Sequence, residues 1–358
     1  MTYERPNIAR MTGYTPGEQP DGGGGIKLNT NENPYPPSDA VMRALQTIDG
    51  DALRRYPHPD ALAFRRTAAE LHSVEADRII ATNGGDELLR LVITTFVEPG
   101  KPIGITRPSY SLYPVLAAIQ DAPLATVDLH DDWSMPDDLA RQWNEAGAQL
   151  AFIVNPHAPS GTLYGVELLK QIAEAFAGVL VIDEAYADFV DPDLNYNSID
   201  LTKQCDNVVL LRTMSKGYSL AGLRFGYGIG SKGLIETMTT KTKDSYPTDA
   251  IAQALASAAI GDQPGAAKTW QAVRAERKRL TAELVTLGLG VSRSQSNFVL
   301  ATIPPAVAGG AKGLYEALKS RNILVRHFDS ERLTHKLRIS VGSPEENTTL
   351  LKALRELM

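Results

Sequence analysis

The sequence predicts an α/β protein: a large unit with a mainly parallel, seven-stranded sheet flanked by helices, followed by a smaller α+β unit. Three observations predict it. Seven short strand-like runs recur at 78–82, 102–106, 124–129, 150–154, 179–182, 207–212 and 225–229. Helix-like stretches such as 61–71 and 86–96 separate most of them, and strand alternating with helix argues for parallel pairing. From residue 248 the texture changes. Ala-rich helical segments at 249–260 and 266–287 lead to strand-like 297–302, helix-like 311–320, strand-like 323–326 and 336–341, and a closing helix from Pro344.

A chain of 358 residues suits one large and one smaller domain. Hydrophobic residues make up 43%, enough for a sizeable core. The net charge of −6 argues against a general nucleic-acid binder, which needs clustered Lys and Arg. A small anionic substrate needs only a few local arginines. Cys205 is the only cysteine, so neither an intrachain disulfide nor a cysteine-based zinc site is expected. The opening Met-Thr-Tyr-Glu-Arg-Pro-Asn lacks the layout of a signal peptide. No run approaches the ~20 apolar residues of a membrane span. A cytoplasmic protein without membrane or metal is expected. The N-terminal stretch, with a flexible Gly22–Gly25 run and the turn-prone Asn31-Glu32-Asn33-Pro34, reads as an arm. The expected division is an arm over 1–38 packed on the small domain, a large domain over 39–264 and a small domain over 265–358.

The densest chemistry lies at Thr213-Met214-Ser215-Lys216, with Arg224 eight residues further on. A lysine amine forms a Schiff base with an aldehyde, and hydroxyls with an arginine hold a phosphate. Upstream, the apolar run 179–182 ends in Asp183, with Tyr186 three residues later. A carboxylate at a strand end can keep a pyridine nitrogen protonated. Aldehyde, pyridine and phosphate together describe pyridoxal 5'-phosphate, whose sites carry a lysine and a charged partner for the ring nitrogen. Glu184 is adjacent, but strand neighbours point to opposite faces, which leaves the role to Asp183. Gly84-Gly85-Asp86-Glu87, between strand and helix, offers close backbone approach and free N–H groups to a phosphate. The spacing of a P-loop or a dinucleotide fingerprint is absent. Tyr110 can stack on an aromatic ring. Asn155, which opens Asn-Pro-His-Ala-Pro-Ser-Gly after the strand at 150–154, and Tyr186 can each bond a ring oxygen.

Further signatures are Gly13-Tyr14-Thr15-Pro16-Gly17, Lys27-Leu28-Asn29-Thr30-Asn31-Glu32-Asn33-Pro34, Arg55-Tyr56-Pro57, Ser296-Asn297-Phe298, Val325-Arg326 and Leu337-Arg338-Ile339-Ser340-Val341-Gly342. With Asp183-Glu184-Ala185-Tyr186 and the Lys216 segment, they make the chain resemble the fold-type I pyridoxal-phosphate-dependent aminotransferases over nearly its whole length. Within that group it is similar to the histidinol-phosphate aminotransferase family. The resemblance implies that Lys216, Asp183 and Tyr186 are catalytic. Lys216 would attach the cofactor, Asp183 would pair with its ring nitrogen, and Asn155 and Tyr186 would contact its 3'-oxygen. Gly84, Gly85, Asp86, Thr213, Ser215 and Arg224 would hold its phosphate. Tyr56 would reach the phosphate in the neighbouring subunit, implying a homodimer with shared sites. Tyr14, Asn33, Arg326 and Arg338 would bind the substrate.

The activity implied is ping-pong exchange of an amino group between histidinol phosphate and 2-oxoglutarate, with the freed Lys216 amine as proton carrier. An aromatic aminotransferase and a decarboxylase similar to threonine-phosphate decarboxylase stay open, since both share fold and cofactor. A regulator that keeps the fold for ligand sensing is disfavoured by the acidic charge. Three segments depart from the family pattern. His157-Ala158 stands where the family has Asn-Asn, Asp244-Ser245-Tyr246-Pro247-Thr248-Asp249 replaces a Pro-Tyr-Asn-like segment, and the glycine run lies in the arm. The last two bear on the choice of substrate.

Overall fold

The computed structural model describes residues 3–19 and 24–358, so Gly22 and Gly23 of the glycine run lie outside the described residues. The strands, in chain order, are β1 Ile26–Lys27, β2 Ile79–Thr82, β3 Ile103–Arg107, β4 Leu124–Asp128, β5 Leu150–Val154, β6 Val179–Asp183, β7 Val208–Thr213, β8 Gly226–Gly230, β9 Gly290–Val291, β10 Phe298–Thr302, β11 Ile323–Leu324, β12 Arg326–His327 and β13 Lys336–Ser340. Seven of them form one sheet in the order β2-β8-β7-β6-β5-β3-β4.

The central strands read as unbroken apolar runs because both faces of the sheet are covered. Ala151, Ile153, Leu180, Ile182, Val208 and Leu210 enter one buried cluster. Their neighbours Leu150, Phe152, Val154, Val181, Val209 and Leu211 enter another on the opposite face. This period of two puts Asp183 on the face of Val181, together with Tyr113 and Tyr186.

Every pair in this sheet is parallel except those of β8, which runs antiparallel to both β2 and β7. The apolar run at 225–229 carries no sign of that reversal. Its consequence is positional. Gly226 pairs with Thr82 on one side and Thr213 on the other, so the start of β8 meets the carboxyl ends of β2 and β7. A Cβ on Gly226 would lie 2.7 Å from the carbonyl carbon of Gly84 and 2.8 Å from the nitrogen of Gly85. Only glycine allows the backbones to approach so closely.

The C-terminal part is a four-stranded antiparallel sheet, β12-β13-β10-β9, covered by helices Gly310–Ser320 and Pro344–Leu357. The single strand expected at 323–326 is two pieces. Ile323–Leu324 pairs in parallel with the arm strand β1, while Arg326–His327 pairs antiparallel with β13. The chain changes partner at Val325 because the arm occupies the place beside β11. Leu28 of the arm donates its N–H to Leu324 O (2.7 Å) and accepts from Ser340 N (2.9 Å), and its side chain is buried in the third apolar cluster.

Helix Gln263–Thr286 ties the two parts together. Ala266 and Val273 pack on the clusters of the large sheet, whereas Leu280 and Leu284 belong to the third. Between them, Arg277 is buried and donates to Phe189 O (2.9 Å), Ser296 O (2.9 Å) and Asp191 Oδ1 (2.7 Å). Truncating it strands those acceptors. Arg277→Ala is therefore expected to cost about 2–3 kcal/mol, read as a lower midpoint in urea unfolding. An unchanged midpoint would contradict this account of the joint.

Candidate active site

A cavity of about 430 Å³ lies where the ends of β3, β5, β6 and β7 meet the arm and the C-terminal sheet. Ligands in open α/β sheets bind at such strand ends. Of the residues singled out from the sequence, Tyr14, Gly85, Asp86, Tyr110, Asp183, Tyr186, Thr213, Ser215, Lys216, Arg224, Arg326 and Arg338 line it. Four do not. Gly84 lies just behind, at a φ of 75°, where a Cβ would sit 2.7 Å from Arg224 Nη2. The Asn155 carboxamide is engaged outside the cavity, donating to Tyr164 O (3.1 Å) and Tyr196 Oη (2.8 Å) and accepting from Tyr164 N (2.8 Å). Asn33 donates to Gly217 O (3.3 Å) and Thr269 Oγ1 (3.4 Å). Tyr56 is 81% exposed and stacks on Tyr246 with ring centroids 4.4 Å apart.

Lys216 follows β7 and points its amine at Thr30 O, 2.8 Å away. Burial pulls its pKa down to about 8. Glu32 opposes that shift, while Arg338, Lys27 and Arg224 reinforce it. A buried amine surrounded by cations is neutral in an appreciable fraction near neutral pH, as a nucleophile or base requires. Asp183 ends β6, with its Oδ2 accepting from Tyr113 Oη (2.8 Å) and its Oδ1 from Ala185 N (3.1 Å). Burial pushes its pKa up to about 6 against those two bonds. Its neighbour Glu184 faces away, taking Arg212 Nε (2.6 Å) and the Tyr196 hydroxyl.

One corner suits a phosphate. Thr213 Oγ1 and Ser215 Oγ are 3.0 Å apart, and Arg224 Nη1 lies 3.4 Å from Ser215 Oγ. The helix Gly84–Phe96 begins there without a side-chain cap from Asn83, so its first N–H groups are available to an anion. Arg224 itself adopts a φ of 57°, donates to Ala221 O (3.1 Å), and has a long ionic contact to Asp86, 3.5 Å. At the opposite side, the guanidinium groups of Arg326 and Arg338 each lie 5.6 Å from the ring centre of Phe328. Three buried polar atoms on the cavity wall have no partner among the described residues: Ser109 Oγ, Asn29 Oδ1 and Arg338 Nε. A polar, anionic, ring-bearing ligand fits this donor set. Among the described residues, no group of three His, Cys, Asp or Glu is placed to hold a metal ion.

Sequence reasoning passed over Tyr113, Ser109, Asn31 and Phe328. Tyr113 lies three residues beyond Tyr110, and its ring stacks on Phe152 at 4.5 Å. Its partner Asp183 is 70 residues away in the chain, so no local pattern announces the pair. Asn31 sat inside a motif already noted and Ser109 directly precedes Tyr110, so both could have been found there.

The chain belongs to the class I and II aminotransferases, whose family pattern it matches over residues 24–354. It is 44% identical over 357 residues to "Histidinol-phosphate aminotransferase 1" of Trichormus variabilis, covering 99% of each chain. It is 43% identical over 358 residues to a histidinol-phosphate aminotransferase of Geobacter sp. (strain M21), covering 100% of this chain and 99% of that one. In three dimensions it is similar to the histidinol-phosphate aminotransferase of Sinorhizobium meliloti in complex with pyridoxal-5'-phosphate. There the TM-score is 0.91 at 25% identity, with 100% of this chain and 99% of the other covered. The architecture is that of fold-type I aminotransferases.

Asp183 also gives a measurable signature in the ligand-free protein. Its pKa rises on folding from 3.8 to about 6, so the folded state holds the extra proton and stability falls as pH climbs through that window. Asp183→Asn removes the ionisation. Its stability gain over the wild type is expected to be small at pH 4 and to grow to roughly 1–3 kcal/mol above pH 7. A thermal-unfolding difference independent of pH would contradict this assignment.

Proposed function

We propose that this chain is a pyridoxal-phosphate-dependent transaminase that moves the amino group of histidinol phosphate to 2-oxoglutarate, forming imidazole-acetol phosphate and glutamate in a ping-pong cycle. The observation that carries the reading is the meeting of Lys216, Asp183, a phosphate corner and two arginines around one cavity. The relatives named histidinol-phosphate aminotransferase, matched end to end at 43–44% identity, support the substrate.

When bound, pyridoxal phosphate supplies an aldehyde for linkage to an amine and a protonated ring that draws electrons from the neighbouring carbon. Thr213, Ser215, Arg224, Gly85 and the N–H groups at the start of helix Gly84–Phe96 would hold the phosphate, with Gly84 giving the guanidinium room. Asp183 would accept a hydrogen bond from the ring nitrogen. Tyr110 would stack on the ring. Tyr186 would bond the ring oxygen, and Asn155 holds the loop after β5 through its bonds to Tyr164. The Lys216 amine, neutral in part because of burial, would take up the proton released at substrate Cα and hand it back, acting first as base and then as acid. Arg326 and Arg338 form forked bonds to phosphate or carboxylate oxygens. Tyr14, whose ring lies 6.1 Å from that of Tyr110, would contact the substrate from the cavity wall, and Asn33 ties the arm to Gly217 and Thr269. One pair of arginines can thus serve the phosphate of one substrate and the carboxylates of the other.

The test is a visible absorbance titration with histidinol phosphate, L-phenylalanine, L-threonine phosphate and glutamate. Histidinol phosphate is expected to convert the bound cofactor to its amine form at the lowest concentration. Preference for L-phenylalanine or L-threonine phosphate would overturn the substrate. Capture of added cofactor is expected to accelerate through about pH 8, the Lys216 midpoint. Lys216→Ala is expected to abolish that capture and to cut turnover by about a thousandfold or more.

A homodimer with shared sites is part of the same reading. Arg224 and Asp86 are 46% and 54% exposed, so the phosphate corner is open on one side. Tyr56, Tyr246, Leu53, Leu45 and Met42 are exposed on the surface of the same chain. Tyr56 of a second copy would close the corner. Sedimentation equilibrium is expected to return two chains per particle, and Tyr56→Ala to weaken cofactor retention about tenfold without splitting the particle. A monomer would refute the sharing. The division into an arm over 1–38, a large domain over 39–264 and a small domain over 265–358 is also proposed. So is a cytoplasmic location; among the described residues, no helix is long and apolar enough to cross a membrane.

A further inference from the structure

Three consecutive arm residues touch three of the side chains placed in the site. Asn29 O accepts from Arg338 Nη2 (2.9 Å), Thr30 O from Lys216 Nζ (2.8 Å), and Asn31 Nδ2 donates to Tyr186 Oη (3.0 Å). Two of these contacts use backbone carbonyls, which any residue supplies. The third depends on a side chain.

Asn31 is 1% exposed and adopts a φ of 57°, a conformation that Asn and Gly tolerate and most residues resist. Every polar group it carries is engaged. Its N–H donates to Ser340 Oγ (2.9 Å), and its carbonyl accepts from Asn297 Nδ2 (2.9 Å). Ser340 Oγ is buried, and the one acceptor for its proton among the described residues is Asn31 Oδ1, 3.0 Å away. That bond settles which end of the carboxamide is oxygen, and leaves Nδ2 facing Tyr186. Nδ2 can only donate, so the Tyr186 oxygen accepts. Its own proton then has no acceptor among the described residues, and the hydroxyl lies on the cavity wall.

We infer that Asn31 is a positioning residue: it forces the Tyr186 hydroxyl to act as a donor into the cavity, toward the ring oxygen of the bound cofactor. The inference rests on the cofactor reading above. Ser340 of β13 and Asn31 of the arm thereby set the polarity of a tyrosine in the large sheet's site. A bond donated to the ring oxygen favours its anionic form. Losing the donor should therefore raise the pH at which the visible band of the bound cofactor titrates.

The experiment is a pH titration of that band in the full-length protein reconstituted with pyridoxal phosphate. It compares the wild type, Tyr186→Phe, Asn31→Gly, Asn31→Asp and the double variant Asn31→Gly/Tyr186→Phe. Glycine keeps the left-handed backbone and removes the carboxamide. Aspartate keeps the backbone and shape but replaces the donor with an acceptor that claims the tyrosine proton. Each single variant is expected to raise the midpoint by about one unit. The double variant should shift no further than Tyr186→Phe alone, because both act through one hydroxyl. If Tyr186→Phe shifts the midpoint while both Asn31 variants leave it in place, the inference falls and the cofactor reading stands. Additive shifts in the double variant also overturn it, since Asn31 would then act by another route. Absence of any band in the reconstituted wild type would overturn both. Should Asn31→Gly fail to fold by thermal unfolding, Asn31→Asp alone decides.

Discussion

The site depends first on how β8 enters the large sheet. Because it runs antiparallel between β2 and β7, its first residue, Gly226, sits beside the carboxyl ends of both. The turn preceding it therefore delivers Arg224 to the same corner as the start of helix Gly84–Phe96 and the Thr213–Ser215 hydroxyls. A side chain at Gly226 would push against the Gly84–Gly85 backbone, and one at Gly84 against the arginine. Two glycines and one reversed strand assemble an anion corner from residues 84–86 and the distant 213–226 stretch.

The second constraint is burial. The two ionisable groups at the centre are held on opposite sides of their ordinary behaviour, Lys216 pulled down to about 8 and Asp183 pushed up to about 6. Both shifts follow from one cause, since low polarity disfavours whichever form is charged. Ligand-free, the protein carries this as a stability cost. A ring nitrogen bearing a proton next to Asp183, and a covalent link at Lys216, would each relieve part of it. Stability is thus set against readiness to bind at the same two residues.

The arm is the third component, and it makes the C-terminal sheet part of the site. β1 pairs with β11, Leu28 fills the third core cluster, and Ser340 holds Asn31. Asn29, Thr30 and Asn31 then reach Arg338, Lys216 and Tyr186. Displacing the arm would loosen Arg338, Lys216 and Tyr186 together.

Much of this was legible without coordinates. The apolar runs at 150–154 and 179–182 announce parallel strands because central strands are buried on both faces, and Asp183 stands out as a charge at the end of one. Lys216 between hydroxyls, with Arg224 following, announces a phosphate-bearing ligand because few other chemistries need that set. Other features were invisible for physical reasons. The direction of β8 depends on its neighbours, and an apolar run looks the same either way along the chain. The change of partner at Val325 depends on the arm, which lies about 300 residues earlier in the chain. The Tyr113–Asp183 and Asn31–Tyr186 bonds span 70 and 155 positions. The sequence by itself determined which residues could do chemistry, because residue type and local spacing decide that. Only the tertiary structure decided which way each polar group faces, because a hydrogen bond's polarity is set by every partner around it.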